Sequence, residues 1–444
     1  MTGSSATLIR GRHVLTAADP AVVVDGAVRV VGDRIEEVGS FDELSARYPD
    51  DQVFGGPNDL VTPGFINTHG HFSEALITGI AKDRTLWEWV AALIGPVAPH
   101  LDDEIAYVGT LLGGIQMLQS GVTLANDMFV CDPRPDGPTT PGVVRALDEI
   151  GMRGIVSFGA GDIRGAKIED IMAEHEALAS AAEASRLSKF RVGIAALGAQ
   201  SDELYAESLR YAEGQGVHIH LQEIREEVTQ VRLRHGVTPI EHCARTGLFE
   251  SPTIAAHCVW IDRQDRRILA DYRVGVAHNP VSNMILASGV APVPELLEEG
   301  VAVGIGVDGA ASNDRQDMIE AMKVASLLQR VHRLQATSLS GRDVFEMATI
   351  GGAKALGVDE QLGSLESGKL ADIVSFDGDS LALANVHDPF GSVAFVAGSS
   401  EVNRVWIGGE IVLDGHDPVR VDPLEVAQRS RTLSKSLLEK AGVG

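Results

Sequence analysis

The sequence predicts an α/β protein, a (β/α)8 TIM barrel with a small β-sandwich domain built from both chain ends. Three observations carry that expectation. Eight short, apolar, β-branched runs alternate with longer helical patterns through the middle of the chain, and such alternation argues for a parallel sheet closed on itself. Strand–turn–strand patterns without a helical period flank this region on both sides. The runs also end in histidines and carboxylates, where a barrel carries its working groups.

The expected strands pass through residues 64–67, 122–125, 154–157, 192–195, 217–220, 253–256, 274–277 and 301–305, with helical patterns such as 202–213 and 317–335 between them. Before the first lies Val28-Arg29-Val30-Val31-Gly32-Asp33-Arg34-Ile35, a strand–turn–strand pattern. After the last, residues 362–414 return to that style, with Gly408-Gly409 between apolar runs as a hairpin signal. The expected domains are therefore 1–60 and 361–444 as two halves of the sandwich, and 61–360 as the barrel. Residues 423–440 read as an amphipathic terminal helix.

A chain of 444 residues exceeds the usual single-core size, which suits a large domain with a smaller companion. Acidic residues number 62 against 37 basic, for a net charge of −25. A field of that sign repels phosphate backbones and anionic lipid, so neither nucleic acid nor membrane is expected as a partner. Cys131, Cys243 and Cys258 are scattered, with no C-x-x-C, so no disulfide framework or zinc knuckle is indicated. The opening Met1-Thr2-Gly3-Ser4-Ser5-Ala6 lacks the basic and apolar regions of a leader, and no run approaches a membrane span. A cytoplasmic protein is the expectation.

Six residues define the chemistry: His69, His71, His220, Glu223, His257 and Asp308. Alternate residues of a strand share a face, so His69 and His71 can bind one metal together. With His220 and Asp308 they give three neutral imidazoles and a carboxylate, a divalent-ion site with room for water. His69 and His71 close the first expected strand, His220 the fifth, His257 the sixth and Asp308 the eighth. Glu223, three residues past His220, suits the proton transfer that hydrolysis at a ring carbon requires. His218 shares a face with His220 one layer deeper and reads as packing. His278 either shapes its loop or touches substrate. Phe72, Trp87 and Trp89 are candidates to wall a flat heterocycle, with core packing the competing reading.

The segments Pro63-Gly64-Phe65-Ile66-Asn67-Thr68-His69-Gly70-His71, His218-Ile219-His220-Leu221-Gln222-Glu223, Ala256-His257-Cys258-Val259, His278-Asn279-Pro280-Val281-Ser282-Asn283-Met284 and Gly306-Val307-Asp308-Gly309 resemble the amidohydrolase superfamily, in its branch of deaminases and triazine hydrolases. The resemblance implies His69, His71, His220 and Asp308 as ligands of one divalent metal, with zinc expected and iron or manganese as alternatives. A second metal would need a lysine near Leu197-Gly198-Ala199-Gln200, and none is there. Glu223 would shuttle protons, and His257 would hydrogen-bond the attacking water, with Asp308 assisting as a base. The implied reaction is hydrolytic deamination of an amino-substituted nitrogen heterocycle with release of ammonia; the alternatives are triazine hydrolysis releasing chloride or alkylamine, deamination of methylthioadenosine or S-adenosylhomocysteine proper, and, remotely, a non-catalytic scaffold relative, whose signature of lost ligand positions is absent here. A homo-oligomer is also implied.

Within that branch the chain resembles the group that deaminates methylthioadenosine and S-adenosylhomocysteine, including Asn283 and the segment that follows it. It departs from the group at Gly95-Pro96-Val97-Ala98-Pro99, where a ribose-binding glutamate is absent, and at Gln200-Ser201, where a histidine is absent. Trp89, Gln200, His278 and Asn283 are the candidate substrate contacts.

Overall fold

In the computed structural model, which describes residues 6–443, strands from the two ends of the chain form one nine-stranded sheet. The opening segment Met1–Ser5, where the sequence predicts no leader, lies outside the described residues. Thr7–Leu15 pairs antiparallel with Val22–Val31, which pairs in turn with Arg34–Ser40. The two ends meet where Leu60–Pro63 runs antiparallel to Ile373–Phe376, with Pro63 opposite Ile373 and Leu60 opposite Phe376. The expected hairpin forms between Val402–Ile407 and Glu410–Asp414. Gly408 and Gly409 both take positive φ, at 57° and 77°, as a two-residue turn matched to the strand twist requires.

The middle of the chain supplies two five-stranded parallel sheets. One runs Asp308–Gly309, Phe65–His71, Val122–Phe129, Arg153–Phe158, Ser188–Phe190; the other runs Val192–Ile194, Val217–Leu221, Thr253–His257, Gly275–His278, Val303–Ile305. Two of the eight expected strands gain a short neighbour in the chain that was not expected. The fourth, Val192–Ile194, is preceded across Arg191 by Ser188–Phe190, and the two pair with different sheets. The eighth, Val303–Ile305, is followed across Gly306-Val307 by Asp308–Gly309, and there Val307 N–H donates to the side chain of Asn67, at Oδ1 and 3.0 Å, instead of to a strand backbone. Asp308 then turns into left-handed backbone, with φ 59°. The expected helices appear as Asp202–Ala212, Met318–Arg333 and Pro423–Ala441. No described helix is long and apolar enough to cross a membrane.

One buried ion pair ties the parallel region to the terminal sheet. Arg153 donates to Asp372 through Nε at 2.8 Å and Nη2 at 3.0 Å, and Gly408 N–H donates to the same carboxylate at 2.9 Å. Asp372 is almost wholly buried, so removing the guanidinium strands a charge in low dielectric. Arg153→Ala is expected to destabilise the fold by about 3–5 kcal/mol, read as a lower urea midpoint at unchanged slope.

Candidate metal centre and cavity

The six chemistry-bearing residues converge at the C-terminal ends of the parallel strands. Asp308 Oδ1 lies 3.4 Å from both His69 Nε2 and His71 Nε2, and His71 Nε2 lies 3.2 Å from His220 Nε2. Ligands held about 2.0–2.1 Å from a tetrahedral zinc lie about 3.3 Å from one another, so these separations match one cation's coordination shell. Burial lowers the His69 pKa to about 4 against the pull of Asp308, and burial with the neighbouring imidazoles takes His220 well below its usual value. Burial opposes the charge on Asp308, but His69, His257 and His71 outweigh it and keep the carboxylate ionised. His69 and His220 therefore offer free lone pairs and Asp308 an anion, the protonation state that metal ligation needs.

Hydrogen bonds behind these groups fix which nitrogen faces inward. Ser157 O–H donates to the Asp127 carbonyl at 2.8 Å, so its oxygen is left to accept from His218 Nδ1–H at 3.1 Å. His218 Nε2 must then accept from His69 Nδ1–H, at 2.7 Å. That leaves His69 Nε2 as a bare lone pair, buried and without a hydrogen-bond partner among the described residues. His71 Nδ1–H donates to the Met128 carbonyl at 2.6 Å, which directs its Nε2 inward in the same way. His218, expected only to pack, is thus the group that orients His69. No local signal separates the two roles, because the partner lies far away in sequence.

Backbone strain marks the same region. Gln222, His257 and Asp308 have φ of 52°, 73° and 59°, conformations that cost non-glycine residues about 1–3 kcal/mol each and persist only where the surroundings impose them. Gln222 is held by its own side chain, which donates to Trp260 O at 2.6 Å and Asp265 Oδ2 at 3.0 Å and accepts from Ile240 N–H at 3.1 Å. The resulting turn brings Glu223 back over the strand ends. Glu223 accepts from Ser288 Oγ at 2.9 Å, and its other oxygen lies 3.6 Å from His257 Nε2. Burial raises the Glu223 pKa. Burial opposes the charge on His257, but Glu223, Asp308 and the bond from its Nδ1–H to Asn283 Oδ1 at 2.9 Å raise its pKa overall.

Three further polar residues close in without having been expected. Ser282 donates to Asp308 Oδ2 at 2.5 Å. Glu74, three residues past His71, accepts from Ala311 N–H at 3.0 Å, and burial raises its pKa to about 7. Glu227, in the first turn of Arg225–His235, accepts from Glu223 N–H at 3.2 Å.

A cavity of about 480 Å3 opens over this cluster, its floor including His71, Glu74, His220 and Glu223. Leu86, Trp87, Trp89, Val90, Ile94 and Val97 supply an apolar wall. Trp89, expected as a substrate contact, lines it. The other three expected contacts are buried away from its lining. Gln200 donates to the Ala160 carbonyl at 3.5 Å, Asn283 holds His257 from behind, and His278 is enclosed with both ring nitrogens unpartnered among the described residues, its pKa lowered to about 3 by burial. Phe72 packs against Gly113 in the core rather than walling the cavity.

Residues 60–412 match the model of the amidohydrolase family, and residues 26–50 match a bacterial imidazolonepropionase-like composite domain. The chain is 34% identical to the 5'-deoxyadenosine deaminase of Methanopyrus kandleri, over 94% of this chain and 97% of that one. It is 34% identical to the 5-methylthioadenosine/S-adenosylhomocysteine deaminase of Pelotomaculum thermopropionicum, over 98% and 99% of the two chains. Among solved structures, an adenosine deaminase from Xanthomonas campestris with bound zinc superposes with a TM-score of 0.90 at 26% identity, covering 98% of each chain. The zinc complex of an atrazine chlorohydrolase from Arthrobacter aurescens shares the fold, with a TM-score of 0.87 at 22% identity over 96% of this chain and 100% of that one. On the family match and these relatives together, the chain belongs to the amidohydrolase family.

Proposed function

We propose that this chain is a metal-dependent hydrolytic deaminase that replaces the amino group of a nitrogen heterocycle by oxygen and releases ammonia. The observation that carries the reading is the placement of Glu223 and His257, 3.6 Å apart, beside a three-histidine, one-aspartate cluster at the floor of an apolar cavity. The deaminases among its relatives support it. So does the carboxyl group itself: ammonia leaves only after protonation, whereas chloride leaves without it.

In this reading His69, His71, His220 and Asp308 hold one divalent cation, with zinc favoured by the zinc-bound structural neighbour. The bound ion would lower the pKa of water from 15.7 to about 7 and so supply hydroxide at neutral pH. Glu223 takes the proton of the attacking water and delivers it to the ring nitrogen next to the carbon under attack. His257, its Nδ1–H committed to Asn283, turns Nε2 towards the oxygen that becomes the product carbonyl. Asp308 assists as a second base. The remaining proton of the added hydroxyl, passed through Asp308 and Glu223 to the amino group, lets the carbon–nitrogen bond break, so that the carbonyl forms and ammonia leaves.

We also infer that the two parallel sheets are arcs of a single closed barrel within 61–360. The supporting feature is that the chain passes from one sheet to the other through Arg191 alone and through Gly306-Val307 alone. Residues 1–60 and 361–444 then form the small β-sandwich, consistent with an apolar cluster that joins Ile9, Val28 and Ile35 to Leu365, Ile373 and Trp406.

Ammonia release by the zinc-loaded protein across adenine, guanine, pterin, cytosine and aminotriazine compounds tests the function, with chloride followed in parallel. Ammonia from one ring class, lost on chelation and restored by zinc, is the expected result. Chloride or alkylamine without ammonia would overturn it. His218→Phe, which takes the acceptor from His69 Nδ1–H, is expected to weaken zinc binding by about 10- to 100-fold, read by competition with a chromophoric chelator.

A further inference from the structure

The cavity above the site adjoins a second one, of about 510 Å3, whose lining includes Pro99, Arg134 and Asp136. Asp132 and Arg164 line both. Asp132 follows the strand Val122–Phe129, and its backbone N–H is pinned to the Ala98 carbonyl at 3.3 Å. Its side chain is half-buried, and no hydrogen bond reaches its carboxylate among the described residues. Burial raises its pKa, and Arg164 is the charge that opposes the rise. The guanidinium rests on Gly95, where an added Cβ would come within 2.6 Å of Arg164 Nη1. The stretch 95–99 itself carries no carboxylate.

A half-buried carboxylate left without donors is unfavourable unless a ligand supplies them. Its two oxygens accept, so the ligand must donate, and neighbouring hydroxyls can donate to both at once. A hydroxyl can also accept from the guanidinium while it donates to the carboxylate. An ammonium has no acceptor and would sit against the charge of Arg164. The cavity volume lies in the range of about 300–1,000 Å3 that encloses a drug-sized ligand rather than a bare ring.

We propose that Asp132, assisted by Arg164, reads the sugar hydroxyls of the substrate, so that the substrate class is a ribosylated amino-heterocycle and not the free base. This rests on the deaminase reading above. The test compares ammonia release from adenosine, 2',3'-dideoxyadenosine and adenine by the zinc-loaded wild type, Asp132→Asn and Asp132→Ala. Wild type should use adenosine better than either other compound. Asp132→Ala should raise KM for adenosine by roughly 10- to 100-fold, the loss expected for hydrogen bonds to a charged group, with Asp132→Asn intermediate. The variants should act on dideoxyadenosine and adenine as wild type does, which a merely structural role for Asp132 would not allow.

Equal use of adenosine and dideoxyadenosine by wild type overturns the proposal without any variant being needed. A parallel loss on all three compounds in Asp132→Ala overturns it as well. Deamination of adenine alone overturns it while leaving the deaminase reading intact. No ammonia from these three compounds, or from any in the wider panel, removes both.

Discussion

Asp308→Ala is expected to release no measurable ammonia, a fall of at least about 10^4-fold, because the nucleophile then reverts from water of pKa about 7 towards water of pKa about 15.7. The carboxylate is the only anion in the four-residue donor set. It is buried and held by Ser282, and its Oδ1 stands 3.4 Å from two imidazoles. Without it three histidines converge with no countercharge for a divalent ion. Alanine also sits poorly in left-handed backbone, so Asp308→Asn is the sharper variant: asparagine tolerates φ 59° and removes only the charge. Both variants, and His220→Ala with them, should lose turnover and bound metal together. An Asp308→Asn protein that keeps stoichiometric zinc and normal turnover would show that the site is misassigned.

Glu223→Gln is expected to separate metal from catalysis. The side chain stays isosteric, can still meet Ser288 Oγ, and contributes no ligand atom to the proposed site. Zinc content and thermal stability should therefore match wild type. Turnover should fall by about 10²- to 10⁴-fold, the usual contribution of a positioned acid–base group, with KM changed much less than kcat. The raised pKa of the buried Glu223 carboxyl gives the direction of a further effect, since a group that holds its proton above the ordinary carboxylate range can donate closer to neutral pH. The corresponding limb of the kcat profile should vanish in the variant. A normal rate in Glu223→Gln would assign proton transfer elsewhere, with Glu74 the next carboxyl on the cavity floor.

Legibility in the sequence followed the range of the interaction. His69 and His71 were readable as a pair because alternation along a strand is local, and Gly408-Gly409 was readable because a two-residue turn depends on its own two residues. The helical spans agree to within two residues at the ends of 202–213, 317–335 and 423–440. Contacts across the fold were not readable. His218 differs from any packed histidine only through His69 and Ser157, and both come from other strands. Arg191 and Gly306-Val307 lie just outside the expected spans 192–195 and 301–305, and the strands beyond them, Ser188–Phe190 and Asp308–Gly309, are too short to carry a pattern. His278 and Asn283 follow a family motif in sequence and Gln200 stands where that pattern is broken, yet all three lie buried outside the cavity lining, because a place along the chain does not fix the direction of a side chain. Asp132 stood in a Pro-rich stretch with no period to mark it.

The donor atoms come from both parallel sheets: His69, His71 and Asp308 from one, His220 from the other. A cation gripped by all four is therefore a rivet across a seam that is otherwise crossed by short lengths of chain. Since an ion bound only by the folded form stabilises it by RT ln(1 + [L]/Kd), about 4 kcal/mol at a thousandfold excess over Kd, the metal supply of a cell governs how long this protein survives as well as how fast it works. Starved of the ion, the chain would lose its catalysis and its rivet together, and the less stable fold would be the easier prey of proteolysis.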